Sequence, residues 1–440
     1  LAVPLAAAQA GTQLMSLVDA AVVGRLGARQ LGAVGIGNSL FFFLTIMAMG
    51  AVMGVDPMIA QAIGAGDPRR ARQVMWQGVW LAFAVSVLIS IPLALAPLIL
   101  GPIGIDSGVA SDATIFLLIR IAGVAPFLLF VVFRAYLQAQ NITRPMIEAM
   151  VVANVANLLL DLLLVYGGSS LPEWTGPLRL VPALGIGGSA ISTVTSSFIQ
   201  LAVLVVAVRG TGGDYVFAGI RRVVREDIVT AFRVGLPLGL QMGAEIGIFA
   251  LVGLLAGRLG RAELAAHQLA ITLASFTFTG ALGIGAAGSV RVGRAIGAGD
   301  QDGTRRAGLV AFGGGAALMS ISALSFWLFP RPLAYLISNQ PIVIATAIPL
   351  MAVAAFFQIS DGVQAVGAGV LRGAADTRYA FVANLLGHWA IGLPVAVFLG
   401  FGLSLGIVGL WWGLCAGLTV VAALLFVRFL RLSSRLIEPV

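Results

Sequence analysis

Ala62-Ile63-Gly64-Ala65-Gly66-Asp67 returns 233 residues later as Ala295-Ile296-Gly297-Ala298-Gly299-Asp300. Gly24-Arg25-Leu26-Gly27 returns at the same offset as Gly257-Arg258-Leu259-Gly260, and Pro4 is answered by Pro237. Further on, Leu137 to Arg144 resembles Leu371 to Arg378, one residue out of register, with Thr143-Arg144 matched by Thr377-Arg378. The chain therefore reads as two copies of one unit. The residues between these marks define the unit: apolar runs of about 20 residues, the length that crosses a bilayer as a helix, recur from end to end.

Composition excludes the other classes. Of 440 residues, 59% are hydrophobic and 10% charged, with a mean hydropathy of +1.03; soluble domains carry about 25% charged residues, and disorder needs low hydrophobicity. No stretch is left over for a soluble domain. Twelve spans are predicted at 1–23, 33–64, 74–100, 113–139, 145–166, 183–208, 227–256, 264–290, 303–329, 341–371, 377–399 and 403–431. The opening segment lacks a basic n-region and a cleavage site, so it reads as a span and not as a signal peptide. The fold class is an all-α membrane protein: twelve transmembrane helices in two six-helix lobes. Residues 1–208 form the N-terminal lobe, 209–226 a cytoplasmic linker and 227–440 the C-terminal lobe. An even number of spans gives both copies one orientation, so the lobes relate by an axis along the membrane normal. That is the parallel-repeat plan of alternating-access transporters, with substrate expected in a cavity between the halves.

Every one of the 26 basic residues is arginine, and the net charge is +8. In a soluble protein such a balance suggests nucleic acid. Here the arginines lie between spans and report topology, so no nucleic-acid partner is expected. With the N-terminus inside, 19 arginines fall on cytoplasmic loops and ends against 6 outside, and Arg120 lies near a span end. The positive-inside rule then puts both termini in the cytoplasm, with the chain multi-pass in the cell (inner) membrane and its only obligatory partner the lipid bilayer. Cys415, the single cysteine, sits in an apolar run and reads as a buried thiol.

Four carboxylates lie deep within spans: Asp19, Asp161, Glu245 and Asp361. Each costs about 2.5–3.5 kcal/mol or more at a helix centre, so each should face protein or a watery cavity. Asp56, preceding Pro57, reads instead as a helix-terminus residue. At the 233-residue offset Asp19 is answered by Val252 and Glu245 by Thr12, so the acids break the repeat. Residues needed only for the fold should recur in both copies; these point to function. In span 5, Asn154, Asn157 and Asp161 share a helix face. With Asp19, and with Thr193 of span 6 as a weaker member, they make an oxygen-rich pocket suited to a small hard cation or a proton, or else an interhelical hydrogen-bond network. In the other half Gln241 and Glu245 are one turn apart on span 7, and Gln358, Asp361 and Gln364 step by three along span 10. If those spans face each other, two carboxyls and three amides share one cavity, able to exchange a proton or to swap Na⁺ for an organic cation. His267 and His388 are isolated intramembrane histidines, of the kind that more often packs than relays protons.

Three motifs carry no chemistry. Gly64-Ala65-Gly66-Asp67 and its copy match the Gly-x-Gly-Asp of intramembrane aspartyl proteases, yet each leads into an arginine-bearing connection and reads as a helix end. Gly283-x-Gly285-x-x-Gly288 matches a dinucleotide fingerprint but lies within a span without a preceding strand, and reads as close helix packing. Zinc-type ligand spacing, a nucleotide-binding loop and a nucleophile beside a base are all missing from the sequence, so neither an enzyme nor an ATP-driven pump is expected, and no cofactor.

Several stretches together resemble the multidrug and toxic compound extrusion (MATE) family. They are Leu236-Pro237-Leu238-Gly239-Leu240 followed by Glu245, Ala265-Ala266-His267-Gln268-Leu269-Ala270, and Arg291-Val292-Gly293 before Ala295-Ile296-Gly297. Phe357-Gln358-x-x-Asp361-Gly362-x-Gln364, Leu371-Arg372-Gly373, Asp376-Thr377-Arg378 and Val18-Asp19 ahead of Gly24 complete the likeness, which covers the whole chain and is strongest to the NorM-like branch. The resemblance implies a V-shaped pair of six-helix lobes that exports cationic, amphipathic drugs in exchange for Na⁺ or H⁺. In the NorM-like branch the coupling carboxylates match Glu245 and Asp361; in the branch represented by archaeal members they match Asp19, with Asn157 and Asp161. This chain carries both sets, so any of the four carboxylates would hold Na⁺ if sodium is the coupling ion.

The expectation is thus a monomeric secondary antiporter for organic cations, whose Met and Phe side chains offer an adaptable apolar surface. A flippase of the same superfamily, moving lipid-linked precursors, would need arginines within the cavity, and only Arg120 and Arg134 are placed ambiguously. An intramembrane aspartyl protease would need two facing catalytic aspartates, for which Asp19 and Asp161 could be made to fit, but the duplication argues against it.

Overall fold

The computed structural model describes residues 11, 15, 18–169, 173–212 and 222–440. Among them the chain is helical, without a β-strand. Ten helices are long and apolar enough to cross a membrane: Ala28–Gly64, Pro68–Leu100, Arg144–Tyr166, Ile186–Thr211, Arg225–Leu259, Arg261–Gly297, Gln301–Leu328, Pro341–Gly373, Thr377–Gly402 and Gly406–Leu432. Ser107–Ile121 and Val124–Ala139 form an eleventh span, bent by 44°. These are spans 2, 3, 5 to 12 and 4 of the sequence reading. Span 1, with Pro4, lies largely outside the described residues; its last turns, residues 18–24, are helical. Half of the 209–226 linker, residues 213–221, also lies outside them. At its C-terminal end the Gln77 amide donates to the Arg222 carbonyl (2.9 Å) and accepts from the Val224 N–H (2.9 Å).

Helices overrun the apolar limits read from the sequence. Span 8, expected at 264–290, is helical over Arg261–Gly297, so Arg291 and Arg294 ride on the helix and not in a loop. Arg69, Arg70, Arg72, Arg305 and Arg306 likewise sit on helical first turns. Hydrophobicity marks the hydrocarbon layer, whereas the backbone hydrogen-bond ladder runs on until a residue stops it. The stop is the duplicated motif. Gly66 (φ 74°) and Gly299 (φ 68°) take the left-handed conformation that ends a helix. The same paired bonds close both turns: Gly66 N–H to Ile63 O (3.1 Å) with Asp67 N–H to Ala62 O (3.0 Å), and Gly299 N–H to Ile296 O (3.0 Å) with Asp300 N–H to Ala295 O (2.9 Å). Asp67 then accepts from Arg70 N–H (2.9 Å), and Asp300 from Gly303 N–H (2.7 Å), capping the helix that follows. The third repeated stretch behaves alike, with Asn141 (φ 64°) and Ala375 (φ 58°) at matching left-handed positions.

Two interior breaks matter below. Span 2 is interrupted at Met53-Gly54, before Asp56-Pro57, and restarts as Val55–Gly64; Pro57 has no N–H to donate back to Met53. Span 11 carries π-helical turns at Leu385–Gly392 and Phe398–Gly402. π-turns widen the ladder and are found mostly where function requires them.

The chain forms two compact units. One comprises Ala7–Val55 with Arg72–Phe232, and the other comprises Asp56–Ala71 with Arg233–Val440. In the second, span 10 is the central helix, packed along its length against spans 8, 9 and 12. The approach to span 8 is through glycine: a β-carbon on Gly369 would strike the Gly285 backbone, and one on Gly373 the backbone of Ser289. Gly283-x-Gly285-x-x-Gly288 is therefore a packing seam. Phe357, Trp411 and Leu410 fill the adjoining core, and Trp411 Nε1–H donates to His267 Nδ1 at 3.1 Å. In the first unit spans 2, 4 and 6 close around Phe116, Val34 and Ala190, while Val87, Leu88, Ile91 and Leu98 of span 3 are exposed as a lipid-facing surface requires.

Replacing Gly66 or Gly299 by Ala should lower stability by roughly 1–2 kcal/mol each, the cost of a left-handed residue with a β-carbon. Gly101→Ala, at an ordinary helical φ of −64° in open space, should not. Thermal unfolding of the detergent-solubilised protein distinguishes them.

Candidate functional site

The four carboxylates gather as two pairs, one in each unit. In the first unit, Asp19 of span 1 and Asp161 of span 5 are both buried and interact directly. Thr193 of span 6 places its hydroxyl 3.1 Å from Asp19 Oδ2 and 3.0 Å from the Ser189 carbonyl. Ser192 lies beside Asp161. By strict hydrogen-bond geometry both Asp161 oxygens, Asp19 Oδ1 and both polar atoms of the Asn157 amide have no protein partner, although all are buried. Unmet buried polar atoms are uncommon and costly, so five in one cluster mark this as the polar centre of the first unit. Asn154 is apart from it: its amide donates to the Met150 carbonyl of its own helix (2.9 Å).

Sequence reasoning left one member unassigned. Arg120, in the last turn before the span 4 bend, interacts electrostatically with Asp19 and lies over the Phe41 ring at 4.2 Å and the Phe116 ring at 5.6 Å. It is the counter-charge beside Asp19, held by cation–π contact.

In the second unit, Glu245 of span 7 faces Gln364 of span 10 and Asn384 of span 11, and its charge acts on Asp361. Spans 7 and 10 therefore do meet at their carboxylates. Gln358, by contrast, is drawn to span 8, where Thr277 Oγ1 donates to its Oε1 at 3.0 Å. His388 sits in the π-helical turn with Nδ1 3.2 Å from the Asn384 carbonyl and its ring against Phe249. Gln241 is buried one turn from Glu245. Once more the polar atoms outnumber their partners. Gln241 Oε1, Gln358 Nε2, Gln364 Oε1, His388 Nε2 and Asn384 Oδ1 are buried and unpaired. The donor set, carboxylate and amide oxygens, is that of a hard cation such as Na⁺, and equally accommodates a proton. Asn384 and Thr277 were missed from sequence because neither stands out among the polar residues of its span; only the packing selects them. Among the described residues no three of His, Cys, Asp and Glu cluster, so nothing resembles a transition-metal centre. His267 is accounted for by its bond from Trp411.

A duplicated chain, helical across its described spans and with carboxylates inside them, defines a multi-pass integral membrane protein. The MatE family model matches residues 4–163 and again 237–398, one match for each copy of the repeat. The chain is 36% identical to the multidrug resistance protein NorM of Burkholderia vietnamiensis, covering 100% of this chain and 94% of that one. It is 34% identical to a probable NorM multidrug resistance protein of Rhizobium meliloti, over 99% and 93%. Its fold matches a crystal structure of a MATE protein in a bent conformation, with a TM-score of 0.88 at 21% identity over 99% of this chain and 94% of that one. The chain belongs to the MatE family.

Trp411→Phe removes the donor to His267 and leaves a buried ring nitrogen unpaired, so stability should fall by about 1–3 kcal/mol. Transport by the surviving folded protein should persist, because that histidine lies outside both carboxylate pairs. Melting temperature and dye transport measured on one preparation separate the two effects.

Proposed function

We propose that the protein is a secondary antiporter that exports cationic, amphipathic compounds in exchange for Na⁺ or H⁺ by alternating access. The observation carrying this reading is the half-buried Glu245 set against the buried Asp361, Gln364 and Asn384, amid further buried polar atoms without a hydrogen-bond partner. Two carboxylates at close range in a low-dielectric site repel when both are charged, and a proton, a small cation or an organic cation relieves that repulsion. A site satisfied by any one of these, and not by two at once, is an exchanger. The Asp19–Asp161 pair, already partly neutralised by Arg120, is a second place to load an ion. The family and the multidrug resistance named for the NorM relatives support the same substrate class.

Expelling a monovalent cation against 100 mV, inside negative, costs about 2.3 kcal/mol. Exchange for one entering Na⁺ or H⁺ cancels the electrical part, and the ion's concentration gradient then drives export. The reading includes lobes at 1–208 and 227–440, a linker at 209–226, both termini in the cytoplasm, the inner membrane as location and a monomer as the working form.

The test is efflux of a monovalent cationic dye from proteoliposomes under separately imposed Na⁺ and H⁺ gradients. Wild type should export dye under one gradient, and Glu245→Gln/Asp361→Asn should lose at least ten-fold of that rate. Retention of coupling by the double variant, with loss in Asp19→Asn, would move the coupling site to the first unit. Wild type that moves no dye under either gradient would overturn the antiporter reading.

A further inference from the structure

The two copies of the repeat touch one another within the second unit, at positions that are each other's images. The segment Asp56–Ala71 comprises the end of span 2 and the first turn of span 3, and its span 2 part lies against the end of span 8. A β-carbon on Gly64 would fall on the Arg294 backbone, and one on Gly297 on the backbone of Gln61. At the 233-residue offset Gly64 becomes Gly297 and Gln61 becomes Arg294, so these are one contact made twice. Gly293 faces the β-carbon of Ala60, and those two residues are images of each other. The contact is backbone to backbone.

The polar groups there are not symmetric. Arg372, near the end of span 10, is buried, with its Nε 3.7 Å from Asp56 Oδ2 and 3.3 Å from Ser289 Oγ. Asp56 and Ser289 are also repeat images, so one guanidinium spans an image pair in which only one member is charged. Gln61 closes the other side: its amide donates to the Gly373 carbonyl (3.3 Å) and accepts from the Val440 N–H (2.8 Å). Arg372 is eleven residues, about three turns, beyond Asp361, and so projects from the same face of the same helix. Span 10 carries the candidate coupling carboxylate on one turn and this ion pair on another, with glycine contacts to span 8 between them.

We propose that Arg372 is a positioning residue whose ion pair with Asp56 holds the crossing of span 2 on span 8 shut, and that span 10 links the state of Asp361 to that pair. The proposal rests on the alternating-access reading above. With the pair intact the crossing is closed. Parting of Asp56 from Arg372 leaves a glycine-lined surface whose one remaining side-chain tie described above is Gln61, so it slides or separates with little repacking.

The test uses purified full-length protein carrying Cys415→Ser, reconstituted and shown to export dye. In the first arm, Ala60→Cys is labelled with a small membrane-impermeant maleimide in open membrane patches. Labelling should be slow when Asp56 and Arg372 are intact, and at least three-fold faster with Asp56→Asn or Arg372→Gln. The charge-reversed pair Asp56→Arg/Arg372→Asp should return it toward the slow rate. In the second arm, Ala60→Cys/Gly293→Cys is oxidised to a disulfide. Dye export should fall at least ten-fold and recover on reduction. Equal labelling rates in all variants, or full export by quantitatively cross-linked protein, would overturn the proposal while leaving the antiporter reading intact, because the uncross-linked protein exports dye in the same experiment. If Gly293→Cys prevents folding, the labelling arm decides alone.

Discussion

A bilayer interior supplies no water to an exposed N–H or C=O, and nearly everything in this structure answers to that condition. It forces each span to satisfy its own backbone and so makes the described chain helical. It also removes the hydrophobic gain from packing one apolar helix on another, since lipid is as apolar as leucine. Cohesion comes from close approach instead. The seam of span 10 on span 8, at Gly285, Gly369 and Gly373, brings backbones into contact where any β-carbon would hold them apart. The same condition makes the carboxylates conspicuous. In water Asp19, Asp161, Glu245 and Asp361 would be ordinary; here each needs a partner, and for Asp19 and Asp161 part of that need is unmet.

Duplication supplies the frame, and departure from duplication supplies the chemistry. The helix-ending turns recur bond for bond in both copies, because a stop at the membrane edge serves each copy equally. The carboxylate pairs do not recur. In the first unit the acids come from spans 1 and 5, with Arg120 nearby; in the second they come from spans 7 and 10, with Asn384 and a π-helical turn. One repeated scaffold thus carries two chemically different polar clusters.

Much of this was legible in the sequence, and the reasons for the rest are physical. Apolar run length marks a span because the hydrocarbon thickness is fixed, and the repeat follows from direct comparison. The intramembrane acids could be picked out because their cost in lipid is large. What escaped depends on packing in three dimensions. Arg120 gives no sign in the sequence that it lies over Phe41 and Phe116, rings from two different spans. Gln358 and Asp361 share a face on paper, yet Thr277 draws the first toward span 8. The π-turns of span 11 leave no mark in hydrophobicity, since they change how many residues close a hydrogen bond and not which residues are present. Helix ends were underestimated because arginines at the membrane surface lower the apparent hydropathy of residues that remain helical.

The crossing of Ala60 on Gly293 also bears on what symmetry permits. In an assembly of identical chains, a position on a two-fold axis meets its own copy, and an acid placed there necessarily brings a second acid beside it. Two linked copies are free of that rule. Position 56 is aspartate while its image, 289, is serine, so Arg372 meets a carboxylate on one side and a neutral hydroxyl on the other. A covalently joined pair can therefore set a charge opposite a neutral group where its two copies meet, an arrangement that a homodimer of the same half could not reach by any substitution.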